Sequence, residues 1–168
     1  MILHILICLV LLIILIQDFR FRSVHWVLFP TLFILIVTDS LLIFEIHNYL
    51  TSIAINLLVV ITQGLLLAAY YKIQGINLKD LFKGKIGLGD ILFILIMAFA
   101  FSWSTFLFYY IAGLLFTLIT WIIIRSVNNL KSQFVPLAGL LALFMTLVML
   151  ADIISAEYNR FMDILSIF

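Results

Sequence analysis

Apolar residues in this chain are gathered into long runs separated by short polar gaps, and that segregation constrains the fold more than any single motif. Six runs can be read: Ile2–Ile16, Trp26–Phe44, Ile53–Tyr71, Gly87–Trp103, Phe106–Ile124 and Phe134–Ala151. Each approaches the roughly 20 residues with which an α-helix crosses about 30 Å of hydrocarbon. With 67% of residues apolar and 10% charged, against about half and about a quarter in soluble domains, the expected class is an all-α polytopic membrane protein. That class excludes a soluble enzyme, a nucleic-acid reader and a disordered regulator. The single cysteine, Cys8, excludes a disulfide within one chain and a cysteine-rich zinc site.

The fourth and fifth runs are almost continuous, interrupted only by Ser102-Trp103-Ser104. From Ile91 to Ile124 one helix would be about 34 residues and about 51 Å long, too long without severe tilt. A tight hairpin at Trp103 is expected instead, with Gly87–Asp90 forming the first turn of a short fourth span. The basic residues agree with six spans, since Lys and Arg accumulate in cytoplasmic loops. Arg20 and Arg22 follow span one, Lys72, Lys79, Lys83 and Lys85 follow span three, and Arg125 and Lys131 follow span five. Of the nine Lys and Arg, only Arg160 lies elsewhere. The reading is a single six-helix domain over residues 1–168, with both termini outside and three cytoplasmic loops. No basic n-region or small-residue cleavage site opens the chain, so the first run reads as a retained helix. Beyond Ala151, Ile154, Tyr158, Phe161, Leu165 and Phe168 recur at helical steps, with Asp152, Glu157 and Asp163 off that stripe. A short C-terminal amphipathic helix on the outer surface is expected there.

An acidic side chain near hydrocarbon costs on the order of a few kcal/mol unless compensated. Asp18 ends span one, and Asp90 closes Gly87-Leu88-Gly89-Asp90 at the start of span four. The charge pattern puts both on the cytoplasmic side at similar depth. Two carboxylates held close do not both ionise cheaply, and a pair sharing a proton can activate water and protonate a leaving amine. Each also has a plain structural explanation: an interfacial ion pair of Asp18 with Arg20 and Arg22, and capping of a helix N-terminus by Asp90. Gly84, Gly87 and Gly89 permit a tight turn and close approach of a peptide backbone.

Three segments resemble the type IV prepilin peptidases and their archaeal preflagellin relatives, membrane aspartic peptidases with a Gly-x-Gly-Asp motif. They are Gln17-Asp18-Phe19-Arg20-Phe21-Arg22-Ser23-Val24, Gly87-Leu88-Gly89-Asp90, and Val135-Pro136-Leu137-Ala138-Gly139-Leu140-Leu141-Ala142-Leu143. The third is similar to a Pro-led motif that opens the family's last helix. The resemblance implies that Asp18 and Asp90 are the catalytic pair, with Gly87, Gly89 and Pro136 supporting the motifs and no metal or cofactor required. It implies cleavage of short basic leaders from pilin-like precursors at the cytoplasmic face of the inner membrane, and a peptidase-only form without the cysteine-bearing domain of many bacterial members. Two positions depart from the pattern. His25 and Trp26 follow Val24 where the family commonly has Ile-Pro, and Leu92 stands where it often has Lys.

Other polar residues read as structural. His25 beside Trp26 is an interfacial anchor, and His4 and His47 lie on the outer side. Asp39 bonds within the bundle or reaches the outer surface, while Asn56 and Gln63, seven apart, bond neighbouring helices. Pro30 is expected to kink span two. Asn77 through Phe82 form a short interfacial helix or, with Lys79, Lys83 and Lys85, contact anionic lipid. The partners expected are a pilin-like precursor and the bilayer, with no nucleic acid, and a homo-oligomer stays open. Three functions compete: a peptidase, a non-catalytic subunit of a pilus or secretion assembly, and a small transporter. The last would want ionisable groups at the bilayer midplane.

Overall fold

The computed structural model describes residues 2–75, 87–128 and 135–165, with side chains except at 127–128 and 156–165. Among the described residues there are six helices and no strands: α1 (Ile2–Phe21), α2 (Leu28–Ile43), α3 (Ile46–Ile73), α4 (Leu88–Met97), α5 (Trp103–Asn128) and α6 (Leu137–Leu165). Within α1, α3, α5 and α6, the segments Ile2–Phe21, Ile46–Ile73, Trp103–Ser126 and Leu137–Ser155 are long and apolar enough to cross a membrane. The chain is a membrane protein on that ground. The other two helices are shorter, 16 residues in α2 and 10 in α4.

Along α3, burial is inverted relative to a soluble bundle. The buried residues of α3 are Tyr49, Ser52 and Asn56, at steps of three and four, whereas Leu50, Leu58, Ile61, Leu65 and Leu66 face outward. Lipid offers apolar side chains as good an environment as a core does, so interhelical packing falls to small and polar residues. Helix α6 is the central element: 44% of its apolar window is buried, against 11% for α3 and 17% for α5. It packs most extensively on α1 and also meets α4 and α5. The core it organises contains Ile7, Leu11 and Ile14 of α1, Phe93 and Met97 of α4, and Ala138, Leu141, Ala142 and Met145 of α6 itself.

Several boundaries differ from the sequence reading. Helix α1 continues past Ile16 to Phe21, carrying Asp18 on a helical frame. Arg22 then takes a positive φ of 52°, and its N–H donates to Asp18 O at 3.0 Å, a left-handed stop that turns the chain. The hairpin expected at Trp103 lies upstream, because α4 ends at Met97 and residues 98–101 make the turn. Ser102 precedes α5, its carbonyl accepting from Phe106 N at 2.8 Å and from Thr105 Oγ1 at 3.1 Å, so the serines start a helix and do not centre the turn. Pro30 is the third residue of α2, in the first turn where a missing N–H breaks no helical bond, so it produces no interior kink. The expected separate tail helix is instead a continuation of α6 to Leu165. The segment Asn77–Phe82, Gly84 and the lysines at 79, 83, 85 and 131 lie outside the described residues, as do the side chains of Glu157, Tyr158, Arg160, Phe161, Asp163 and Leu165, and Phe168.

Helices α5 and α6 approach through Gly113, where an added Cβ would lie 3.1 Å from Phe144 Cδ1 and 3.2 Å from Leu141 Cδ2. Gly113→Val is expected to overpack this contact and destabilise the bundle by about 1–3 kcal/mol. The check is the unfolding midpoint in a denaturing-detergent titration; an unchanged midpoint would mean the two helices do not meet there.

Candidate functional site

The site begins with an uncapped helix. An α-helix leaves its first N–H groups without internal partners, and a Ser, Thr, Asp or Asn at the N-cap normally accepts from the second or third of them. Helix α6 opens with Val135-Pro136-Leu137-Ala138-Gly139, which has no side chain able to do so. Leu137 N donates to Val135 O at 2.9 Å, and Leu140 N to Pro136 O at 3.1 Å. The two N–H groups between them, those of Ala138 and Gly139, are satisfied from elsewhere in the chain. Ala138 N donates to Asp90 Oδ1 at 2.8 Å, and Gly139 N donates to Asp18 Oδ2 at 2.6 Å.

Asp18 and Asp90 therefore meet at one helix end, from α1 and α4 respectively. Successive amide nitrogens of a helix lie about 2.8 Å apart, so the two bonded carboxylate oxygens are within about 8 Å of each other. The charge of Asp18 is close enough to act on Asp90. Asp18 is buried and Asp90 half-buried. The helix terminus faces them with the partial positive charge of its dipole, equivalent to about half an elementary charge.

Asp18 does not form the ion pair expected for it in isolation, whereas Asp90 does cap a helix N-terminus, that of α6. The carboxylate of Asp18 points to α6, and among the described residues it forms no ion pair with Arg20 or Arg22; the guanidinium of Arg20 lies 5.4 Å from the Phe21 ring centre. Asp90 stands in the first turn of α4, and its Oδ1 accepts from a residue of α6.

The glycines act by leaving room. Gly87 has φ −71° and ψ 130°, extended backbone open to any residue, so no tight turn demands glycine there. A Cβ on Gly87 would lie 2.8 Å from Asp90 Oδ2, and one on Gly139 would lie 3.0 Å from both Cβ and Oδ2 of Asp18. Gly89 leaves space for the Phe29 ring, whose Cζ would be 3.3 Å from an added Cβ. Each aspartate thus sits against a residue without a side chain. Ala138 and Gly139 contribute through backbone N–H groups, and the signal for them in the sequence is a helix start with no capping residue.

The remaining polar candidates lie apart from the pair. His25 is exposed, its N–H donating to Gln17 Oε1 at 2.8 Å, which fastens the α1–α2 connection. His4 Nε2 approaches Asp39 Oδ2 at 3.6 Å, joining α1 to α2 near the other end of both helices. Gln63 accepts from the Tyr110 hydroxyl, linking α3 to α5. His47 is exposed. No group of three or more His, Cys, Asp or Glu that could hold a metal ion occurs among the described residues.

Removing an N-cap acceptor costs about 1 kcal/mol, whereas Asn, which keeps an oxygen acceptor, costs little. Asp18→Ala and Asp90→Ala are each expected to lower stability by about that amount, with Asp18→Asn and Asp90→Asn close to the parent, as read from thermal unfolding in mild detergent. Equal losses for Ala and Asn at either position would contradict the capping geometry. No family model matches the chain, and neither a curated protein nor a solved structure does.

Proposed function

We propose that the protein is a membrane aspartic endopeptidase in which Asp18 and Asp90 share one proton. The observation that carries this reading is the convergence of two carboxylates, from helices distant in sequence, on consecutive N–H groups of α6. In the reaction one carboxylate takes a proton from water as the oxygen attacks the scissile carbonyl. The other delivers its proton to the departing nitrogen as the C–N bond breaks. Anchoring one oxygen of each carboxylate to a rigid helix end holds the pair in register, and such preorganisation is worth several orders of magnitude in rate. No cofactor or metal enters the scheme.

The substrate proposed is a pilin-like precursor, cut between a short basic leader and its hydrophobic helix. The resemblance of the Asp18, Gly87–Asp90 and Pro136 segments to prepilin peptidases supports that choice. The arrangement proposed is six spans in the inner membrane, both termini outside, with the aspartates at the cytoplasmic border; the clustering of Lys and Arg in alternate connections supports it.

A second reading, a non-catalytic subunit of a pilus or secretion assembly, is favoured by the same hydrogen bonds. Capping α6 accounts for both carboxylates without any chemistry, and Leu92 and the His25-Trp26 pair depart from the peptidase pattern. Substitution by Asn separates the two, because it keeps the cap and removes the acid. Asp18→Asn and Asp90→Asn should each abolish cleavage of a co-expressed pilin-like precursor, at least 100-fold by immunoblot, while membrane insertion is unchanged. Full cleavage by either variant, or its ability to complement a deletion, would favour the subunit. For the topology, in a Cys8→Ala background, His47→Cys should react with an impermeant thiol reagent in intact cells and Gln74→Cys only after lysis. The reverse pattern would move the aspartates to the outer face and remove the cytoplasmic peptidase.

A further inference from the structure

Helix α4 carries Asp90 at one end, and the turn that follows its other end is bound as specifically. The last carbonyls of α4 are met by the backbone that follows, Ile94 O and Leu95 O by Ala98 N, Ile96 O by Phe99 N and Met97 O by Ala100 N. The turn at residues 98–101 presents carbonyls of its own, and leaving these unpaired away from water is costly. At that turn, directly after α4, three side chains from two other helices supply donors. Ser40 Oγ of α2 and Tyr49 Oη of α3 both donate to Phe99 O, each at 3.1 Å. Asn56 Nδ2 of α3 donates to Ala98 O at 2.9 Å and to Phe101 O at 3.0 Å. All three residues are buried: Ser40 and Tyr49 are 3% exposed and Asn56 is 0%. The Asn56 amide is held by its donors alone, since its Oδ1 has no partner among the described residues.

These contacts make α4 a strut of 10 residues, about 15 Å long, held by hydrogen bonds at its start and at the turn that follows it. At the near end Asp90 and the Phe29 ring against Gly89 set its position relative to α6 and α2. At the following turn the four donated bonds prevent it from sliding or rotating. A helix too short to be held by a long packed seam depends on such fixed points. We infer that Ser40, Tyr49 and Asn56 are positioning residues for Asp90, setting its carboxylate against Asp18 from the opposite end of α4. For catalysis this rests on the peptidase reading, but the mechanical claim stands apart from it.

The test strips Phe99 O of both donors while keeping the packing. Ser40→Ala with Tyr49→Phe removes two hydroxyls, and Tyr49→Phe retains the ring stacked on Phe44 at 6.2 Å. Ser40→Thr restores one donor. Spin labels at Phe21→Cys and Leu88→Cys, both exposed, in a Cys8→Ala background report the separation of α1 and α4 by pulsed electron paramagnetic resonance without reference to activity. The double variant should broaden or shift that distance distribution by several ångströms, and Ser40→Thr with Tyr49→Phe should bring it back towards the parent. On a pilin-like precursor the double variant should lower kcat at least tenfold with KM within twofold. An unchanged distribution in a variant that folds would overturn the inference, as would a displaced α4 with undiminished kcat where Asp90 is required for cleavage. Should the double variant not fold, Asn56→Asp, similar in size but without the amide donors, is read in the same way. If the distance responds and Asp90→Asn still cleaves, the peptidase reading fails and the strut remains.

Discussion

Everything in this molecule turns on two backbone N–H groups that their own helix cannot satisfy. Water would normally accept from Ala138 and Gly139, but the start of α6 is packed against α1 and α4, and Pro136 and Leu137 offer no side-chain acceptor. The acceptors come from Asp18 and Asp90 instead. One requirement thereby draws three helices to a point, buries a carboxylate beside an apolar core, and fixes the mutual orientation of two acids. Structural need and chemical opportunity coincide in the same atoms. This is why the two functional readings share one geometry and differ only in whether a proton moves.

Several polar groups of the bundle complete a helix end, a turn or a crossing that lipid cannot complete. Ser40, Tyr49 and Asn56 satisfy carbonyls of the turn after α4, and Gln63 meets Tyr110 between α3 and α5. His4 and Asp39 join α1 to α2 at the end remote from the candidate site. Apolar residues face outward along much of α3 and α5, so these few bonds, together with close approaches at Gly113 and Gly139, carry the specificity of packing.

Helical class was legible from the apolar runs because length and hydropathy act locally. Asp18 and Asp90 stood out because ionisable groups are rare and costly in such surroundings. What they bond to was not legible, since the partners are backbone amides and carry no residue signature. Gly87 looked like a turn residue, yet its dihedrals are ordinary and its value is the space it leaves for the Asp90 carboxylate. Boundaries failed where side chains from afar intervene: α4 ends at Met97, with Asn56, distant in sequence, bonding the carbonyls that follow. Pro30 stands in the first turn of α2 and bends nothing, and its distance from the helix start, which decides this, is not legible in the sequence to within a few residues.

The brevity of α4 has a consequence for the solvent around it. An apolar rod of about 15 Å matches only about half of an ordinary hydrocarbon slab, and lipids beside a short segment thin or lean to avoid exposing their tails. Leu88, Leu92 and Leu95 are the side chains α4 turns outward, so the leaflet there would dimple inward toward Gly87. A dent of that kind would bring bulk water closer to the end of α4 that carries Asp90.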